Sequence, residues 1–341
     1  MDTPRIAVIG AGLIGRKHVD VVRQFAQLHA IIDPAPATKD LAAQHGALWF
    51  ETLEAYLAQH SPDGAIVASP NTLHLPQGRA CLEAGIPVLI EKPLAESAPN
   101  AQALTTLSER LGIAVLVGHH RRHSPLVKKA KSLIDKGTLG RIATVTAQFW
   151  LYKPQDYYDA TWRTKEGGGP IFINLIHDID LLRHFCGDIT AVQAMENNAV
   201  RGFEVEDTAA LLLRFKNGAL GTVSISDTVA APWSWELTAG ENPAYPKTSQ
   251  AAYRIGGTDG SLSVPDLQLW QHPDVKSWWA PIENTAHPAD PLDPVVEQFK
   301  HFMDVIAGRA QPLVPASEGA KNLAVLDAIK QAARHGGTQQ V

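Results

Sequence analysis

Cysteine is scarce in this sequence, and so are excess charge of one sign and long apolar runs. The two cysteines, Cys81 and Cys186, lie within apolar patterns of helical spacing, which favours buried thiols over a disulfide framework or a metal pair. A formal net charge of −5 and a pI near 6.3, with no basic run beside aromatic residues, argue against a nucleic-acid partner. These properties point to a small-molecule partner.

Targeting and membrane signals are also lacking. No basic start leads into an apolar leader, and no apolar run approaches the roughly 20 residues that span a bilayer. We therefore expect no membrane contact and a cytoplasmic location. The 341 residues, 45% of them hydrophobic, exceed one ordinary core and predict two domains, residues 1–121 and 122–341.

A glycine-rich turn near the start of the chain is the most informative motif. Gly10, Gly12 and Gly15 follow the apolar run 6–9 and open a helical pattern, with Leu13 and Ile14 between the last two glycines. The first glycine permits a tight turn, the second lets backbone approach a pyrophosphate, and the third lets the helix pack on the strand. The motif predicts a dinucleotide site.

Asp33 ends the next apolar run, about 20 residues further on, where a carboxylate can accept hydrogen bonds from the hydroxyls of an adenosine ribose. The same carboxylate would repel the 2′-phosphate of NADP, and positions 34–38 hold no arginine that could accept one. NAD is therefore the expected cofactor, with NADP disfavoured.

Strand and helix patterns alternate over residues 5–119 and predict a doubly wound α/β Rossmann domain. After residue 122 strand patterns cluster, including a hairpin at Asn217-Gly218 and a strand over 235–239. These predict an α+β domain with a large, open-faced, mostly antiparallel sheet.

Glu91-Lys92-Pro93 follows a predicted parallel strand, at the sheet edge where doubly wound proteins bind ligands. A lysine held there could donate a hydrogen bond or a proton to an alcohol oxygen. The alternative is a surface lysine paired with Glu91.

A second polar group follows the triple glycine at 167–169. In a regular helix Asn174, His177 and Asp180 would share one face, and histidine is well suited to take a proton near neutral pH. The alternative is a buried histidine with a structural hydrogen bond. A metal site is disfavoured, because the candidate ligands do not share one face; they are His177, Asp178, Asp180 and His184.

These motifs together resemble the Gfo/Idh/MocA oxidoreductases, a family that includes glucose-fructose oxidoreductase and inositol dehydrogenase. The resemblance runs over nearly the whole chain. Beyond the glycine turn, it is carried by Ser69-Pro70-Asn71-Thr72-Leu73-His74, Ala84-Gly85, Glu91-Lys92-Pro93, Arg121-Arg122, Leu139-Gly140, Trp162-Arg163, 167–169, His177, Asp180 and 256–261.

The resemblance implies reversible oxidation of a secondary alcohol of a sugar or cyclitol, with Lys92 and His177 in proton transfer. Ile173 departs from the family pattern, because many members have aspartate four residues before this histidine. The implied cofactor contacts are Gly10, Gly12, Leu13, Ile14, Gly15, Asp33, Ser69, Pro70, Asn71, His74, Glu91 and Lys92; the implied substrate contacts are Lys92, Arg122, Trp162, Arg163, Asn174 and His177.

Three other functions stay open from the sequence: a cis-dihydrodiol dehydrogenase acting on a carboxylated ring, an NAD-dependent glycosidase, and a non-catalytic sugar-sensing regulator. A homodimer or homotetramer formed through the second-domain sheet is expected. The sequence favours a neutral sugar over an acidic one, since no spacing forces the candidate cations to converge; they are Arg121, Arg122, Lys153, Arg163 and Lys165.

Overall fold

The computed structural model describes residues 3–341, which form two compact units. The first extends to Arg122 and takes in Pro294–Ala324. The second comprises His123–Asp293 and Val325–Val341.

The first unit is built on a six-stranded parallel sheet in the order β3-β2-β1-β4-β5-β6. Its strands are short, and β4, β5 and β6 are wholly apolar and buried, as expected of a parallel sheet covered on both faces. The Rossmann prediction is confirmed. The elements are β1 (Arg5–Ile9), α1 (Leu13–Phe25), β2 (Gln27–Ile32), α2 (Ala37–Gln44), β3 (Leu48–Phe50), α3 (Leu53–Leu57), β4 (Gly64–Val67), α4 (His74–Glu83), β5 (Val88–Ile90), α5 (Ala98–Leu111) and β6 (Val115–Val117).

The second unit holds a nine-stranded mixed sheet in the order β14-β13-β12-β11-β7-β10-β9-β8-β15. Its elements are α6 (Pro125–Asp135), β7 (Ile142–Trp150), α7 (Ile176–Cys186), β8 (Ile189–Asn197), β9 (Thr208–Phe215), β10 (Leu220–Ser226), α8 (Trp235–Ala239), β11 (Tyr253–Gly257), β12 (Ser261–Val264), β13 (Gln268–Gln271), β14 (Glu283–Ala286) and β15 (Gln339–Gln340). Two helices of the C-terminal segment are α9 (Pro294–Ile306) and α10 (Ala316–His335).

Most neighbouring strands of this sheet are antiparallel, as predicted, but β7 and β10 run parallel. Along β9 and β10, residues alternate between buried and exposed. The buried side packs on α6, α7 and the end of α10 in one apolar core. The other side of the sheet is an open face.

Three features differ from the sequence-based expectations. Residues 235–239 form helix α8 and not a strand, because Ser234 Oγ accepts the Leu237 amide at 3.3 Å and caps a helix that ends at Gly240, with φ +70°. The helix expected from residue 171 begins with a π-helical turn, Ile171–Leu175.

The third difference concerns the division at residue 122. The segment Pro294–Ala324 returns to the first unit, because Phe299 and Phe302 on α9 are fully buried in that unit's core. Helix α10 belongs to the first unit up to Ala324 and to the second from Val325.

Candidate functional site

The glycine turn after β1 has the geometry of a pyrophosphate cradle. Gly10 has φ +87°, and a Cβ there would lie 2.6 Å from the Ser69 nitrogen. A Cβ on Gly15 would lie 2.0 Å from Gly10 O, so α1 packs tightly on the turn. A Cβ on Gly12 would meet no atom of residues 3–341 within 4 Å. The open space lies at the glycine that must face a ligand, so the turn fits a dinucleotide.

Asp33 closes the other side of this turn. Its Oδ2 accepts the Ala11 amide at 2.7 Å and its Oδ1 accepts the Ala35 amide at 2.8 Å. These bonds hold the carboxylate against the glycine turn, and each carboxylate oxygen keeps a second lone pair for ribose hydroxyls.

Two further segments reach the same sheet edge. Strands β1, β4 and β5 are neighbours in the sheet and parallel, so the glycine turn, Ser69 and Lys92 follow strand ends that lie side by side. Lys92 is half-buried, and the Lys92-Pro93 peptide is cis. Pro70 and Asn71 are exposed at the start of the turn before α4.

His74 is buried and turned towards protein carbonyls. Its Nδ1 lies 2.7 Å from Pro93 O and its Nε2 lies 2.8 Å from Ser69 O. Burial lowers the pKa of His74, while the two carbonyls act in the opposite direction. The imidazole links the loop after β4 to the loop that carries Lys92.

Glu91 is also buried, and its carboxylate accepts the His18 Nε2 hydrogen at 2.8 Å. Burial would raise the pKa of Glu91, but His18, His120 and Lys92 together lower it to about 2. Burial lowers the pKa of His120 to about 4 against the attraction of Glu91. The alternative from the sequence is a surface lysine paired with Glu91. In the structure the Glu91 carboxylate is buried against His18 of α1, and Lys92 is half-buried.

In the second unit, the π-helical turn lies directly before the helix that carries the predicted proton-transfer group, His177. Asn174 lies in this turn and His177 in the first turn of α7, so the regular helical spacing expected between them does not hold. The Ile171 amide donates to the buried Glu206 at 2.9 Å, which anchors the start of the turn. His177 and Asp180 are buried.

The parallel pairing of β7 and β10 creates a polar cluster that we call the Lys153 cluster: Lys153, Tyr158, Asn174, Arg201 and Asp227. Because Trp150 pairs with Ser226, the chain segments that follow the two strands run side by side. The Lys153 amide donates to Asp227 O at 2.9 Å, and its Nζ donates to Asn174 Oδ1 at 2.8 Å.

Asp227 is the anion of this cluster. It accepts Tyr158 Oη at 2.6 Å and Arg201 Nε at 2.9 Å, and lies 3.6 Å from Lys153 Nζ. Burial, with a smaller contribution from Arg201, lowers the pKa of Lys153 to about 8 against the attraction of Asp227 and Glu236. Burial, with the Asp227 charge, raises the pKa of Tyr158.

The remaining predicted substrate contacts lie in different surroundings. Arg163 stacks on Tyr157, with Trp162 exposed beside it. Arg122 is buried and pairs with Glu318 at 3.2 Å, within the first unit.

Sequence reasoning missed His18, Glu206 and Asp227 as site-supporting residues, and it named Lys153 only among the candidate cations. His18 carries a usable signal, since it lies one turn of helix after Gly15 on the face that packs on the sheet. The contact between Lys153 and Asp227 has no sequence signal, because it depends on the parallel pairing of β7 with β10.

None of the helices described over residues 3–341 is both long and apolar enough to cross a membrane. Within the same range, no group of three or more histidine, cysteine or acidic side chains could hold a metal ion.

Comparison with known proteins agrees with this geometry. Residues 4–119 match the oxidoreductase family with an NAD-binding Rossmann fold, and residues 127–263 match the GFO/IDH/MocA C-terminal domain. Among curated relatives, 1,5-anhydro-D-fructose reductase of Ensifer adhaerens is 24% identical over 99% of this chain and 98% of its own. The 4-carboxy-2-hydroxymuconate-6-semialdehyde dehydrogenase of a Sphingobium species is 28% identical over 65% of this chain and 71% of its own.

Among solved structures, the WlbA dehydrogenase of Bordetella pertussis, in complex with NADH and UDP-GlcNAcA, superimposes with a TM-score of 0.81. It is 26% identical and covers 99% of both chains. Together with the glycine turn and Asp33, these matches identify the chain as an NAD-binding dehydrogenase of the GFO/IDH/MocA oxidoreductase family.

Proposed function

We propose that this enzyme oxidises a secondary alcohol of a sugar, sugar derivative or cyclitol to a ketone. The observation that carries the proposal is the placement of Lys92 at the sheet edge that also holds the glycine turn and Asp33. When bound, NAD accepts the hydride from the substrate's CHOH carbon. The names of the relatives, which include a reductase of an anhydro sugar, support this substrate class.

The chain supplies position and proton transfer in this proposal. Backbone amides at the start of α1, beside Gly12, bind the pyrophosphate, while Gly10 and Gly15 hold the turn in shape. Asp33 binds the adenosine ribose. Lys92 donates a hydrogen bond to the reacting oxygen of the substrate, and His177 has the proton-transfer role that the family resemblance implies. Arg163, Trp162 and Asn174 contact the rest of the substrate.

The direct experiment is a screen for NADH absorbance over polyols, aldoses, sugar acids and cis-dihydrodiols. We expect a polyol, a sugar or a sugar derivative to be oxidised with stoichiometric NADH. Glycoside hydrolysis without net NADH would contradict the proposal, as would a cis-dihydrodiol as the best substrate. A cytoplasmic location remains a prediction from the sequence.

Asp33 should select NAD over NADP. We expect the double variant Asp33→Ser, Pro34→Arg to lower the preference for NAD, measured as kcat/KM for NAD divided by kcat/KM for NADP. The variant removes the charge that repels the 2′-phosphate and adds an arginine that can bind this phosphate. Asp33→Asn is the control, since it keeps an acceptor for the Ala11 amide that Asp33 Oδ2 accepts at 2.7 Å. A native enzyme that prefers NADP would contradict this role.

The open sheet face should be the contact surface of a homo-oligomer. Three large apolar side chains are exposed there, Met195 at 79%, Leu212 at 53% and Leu220 at 56%. We expect Leu212→Lys to shift the molar mass, measured by light scattering after gel filtration, towards the monomer. Lys216→Leu, in the exposed turn beyond β9, should leave the mass unchanged. A wild-type monomer would contradict the prediction.

A further inference from the structure

Tyr157 holds two cations against its ring. Lys153 Nζ lies 4.8 Å from the ring centroid and Arg163 Cζ lies 4.0 Å from it, both within cation–π range. Lys153, Tyr157 and Arg163 all lie in the segment that follows β7, so these contacts are formed within the second unit. The two cationic groups therefore lie within about 9 Å of each other.

Negative charge near these cations is limited. Lys153 shares Asp227 with Arg201, which makes the closer ion pair, 2.9 Å against 3.6 Å. Glu236 adds a further attraction to Lys153. Two acidic side chains beside residues 164–166 pair with other cations, Glu166 with Arg334 and Glu204 with Lys165. Within residues 3–341, no carboxylate pairs with Arg163.

The hydrogen-bonding groups left at this place are donors. Lys153 donates to Asn174 Oδ1, so the Asn174 amide hydrogens are available to a ligand. Arg163 Nη1 donates to Tyr157 O at 2.5 Å, and its Nη2 has no acceptor in the part of the chain that the structure describes. A guanidinium and an ammonium against one ring, with the Asn174 amide beside the ammonium, match a carboxylate, which accepts at both oxygens.

We propose that Lys153 and Arg163 bind a carboxylate of the substrate, so that the sugar derivative oxidised by this enzyme is a sugar acid. This inference rests on the proposed function and narrows its substrate class. It departs from the neutral sugar that the sequence favoured, because Tyr157 brings together cations that no spacing forced to converge. Two of the relatives are named with acidic compounds, UDP-GlcNAcA and a carboxylated semialdehyde.

The test compares substrate pairs that differ by one carboxylate: D-glucose with D-glucuronate, and D-glucitol with D-gluconate. We expect kcat/KM with NAD to be at least about tenfold higher for the acid of the preferred pair, the size of one charge-assisted hydrogen bond. Arg163→Gln should remove about ten- to a hundredfold from the acid and less than about threefold from the neutral member. A neutral preference in the wild-type enzyme, or equal losses on both members, would overturn the inference.

Lys165→Gln is the matched control. It removes one exposed positive charge two residues from Arg163 without touching Tyr157, and should leave the acid preference unchanged. The dissociation constant of NAD should be the same in Arg163→Gln and wild type; a tenfold weaker NAD complex would assign the charge to cofactor phosphates and overturn the inference. A preference for UDP-glucose over D-glucuronate would likewise show that Lys153 and Arg163 bind a diphosphate, and would overturn the inference.

Binding separates this inference from the proposed function. If no sugar or polyol yields NADH, the proposed function fails, whereas the carboxylate site can still be scored by the melting temperature with NAD and D-gluconate. A rise with gluconate but not glucitol, lost in Arg163→Gln, supports the site. Equal shifts for both compounds, or none, would overturn it.

The pH dependence gives an independent readout. Because the pKa of Lys153 lies at about 8, its charge is lost as pH rises through that value. The ratio of kcat/KM for acid to neutral substrate should therefore fall above about pH 8, and the ratio cancels the pH dependence of the chemical step. The groups facing Lys153 are Asp227, Glu236, Arg201, Tyr157 and Tyr158. A flat ratio would remove Lys153 from carboxylate binding.

Discussion

Lys92→Ala should lower kcat by about 100-fold or more while the dissociation constant of NAD changes by less than about threefold. The lysine follows β5 at the edge shared with the glycine turn, and it is half-buried, so its ammonium acts from a fixed place. Loss of the group removes a hydrogen bond to the reacting oxygen that strengthens as charge develops on that oxygen. Steady-state kinetics on the best substrate and NAD titration by fluorescence measure the two quantities.

Lys92→Met separates charge from bulk, because it keeps an unbranched side chain of similar length. We expect it to be as impaired as Lys92→Ala. Lys128→Ala, which removes an exposed lysine at the second unit's α6, should retain wild-type turnover. If Lys92→Ala turned over at the wild-type rate, the residue would have no part in the reaction. If it lost NAD affinity in parallel with kcat, its role would be to bind the cofactor.

The first unit was predictable because its signals are local. A strand, three spaced glycines and a helix start lie within residues 5–25, and the buried strands of a parallel sheet are short apolar runs. Asp33 and Lys92 then follow from the rule that ligands bind at the carboxyl ends of such strands. The return of Pro294–Ala324 to this unit was missed, since an amphipathic helix pattern does not say which core it joins.

The second unit was predictable only in outline. The hairpin at Asn217-Gly218 is a two-residue signal, whereas the parallel pairing of β7 with β10 joins segments more than 70 residues apart. Without that pairing, nothing in the sequence connects Lys153 to Asp227. The capping serine before Trp235 and the π-helical turn at Ile171–Leu175 were also missed, because alternating or helical apolar patterns alone do not reveal them.

Gly12→Val should abolish NAD binding in a protein that remains folded. Gly12 has φ −68° and ψ −162°, an extended conformation with a negative φ that does not require glycine. A Cβ there would contact no atom of residues 3–341 within 4 Å, so the branched side chain would enter only the space that the pyrophosphate must occupy. We expect the dissociation constant of NAD to rise by about 100-fold or more, since backbone amides could no longer reach the phosphates.

The contrast with Gly15→Val makes this result specific. A Cβ on Gly15 would lie 2.0 Å from Gly10 O, a backbone atom that cannot yield without moving the turn away from α1. Gly15→Val should therefore lower the melting temperature of the protein without cofactor, whereas Gly12→Val should leave it within about 2 °C of wild type. Thermal unfolding with and without NAD tells the two apart, because wild type gains stability from NAD and Gly12→Val should gain none. A Gly12→Val variant that still binds NAD tightly would place the pyrophosphate away from this glycine, and the dinucleotide would then have to lie elsewhere along the sheet edge.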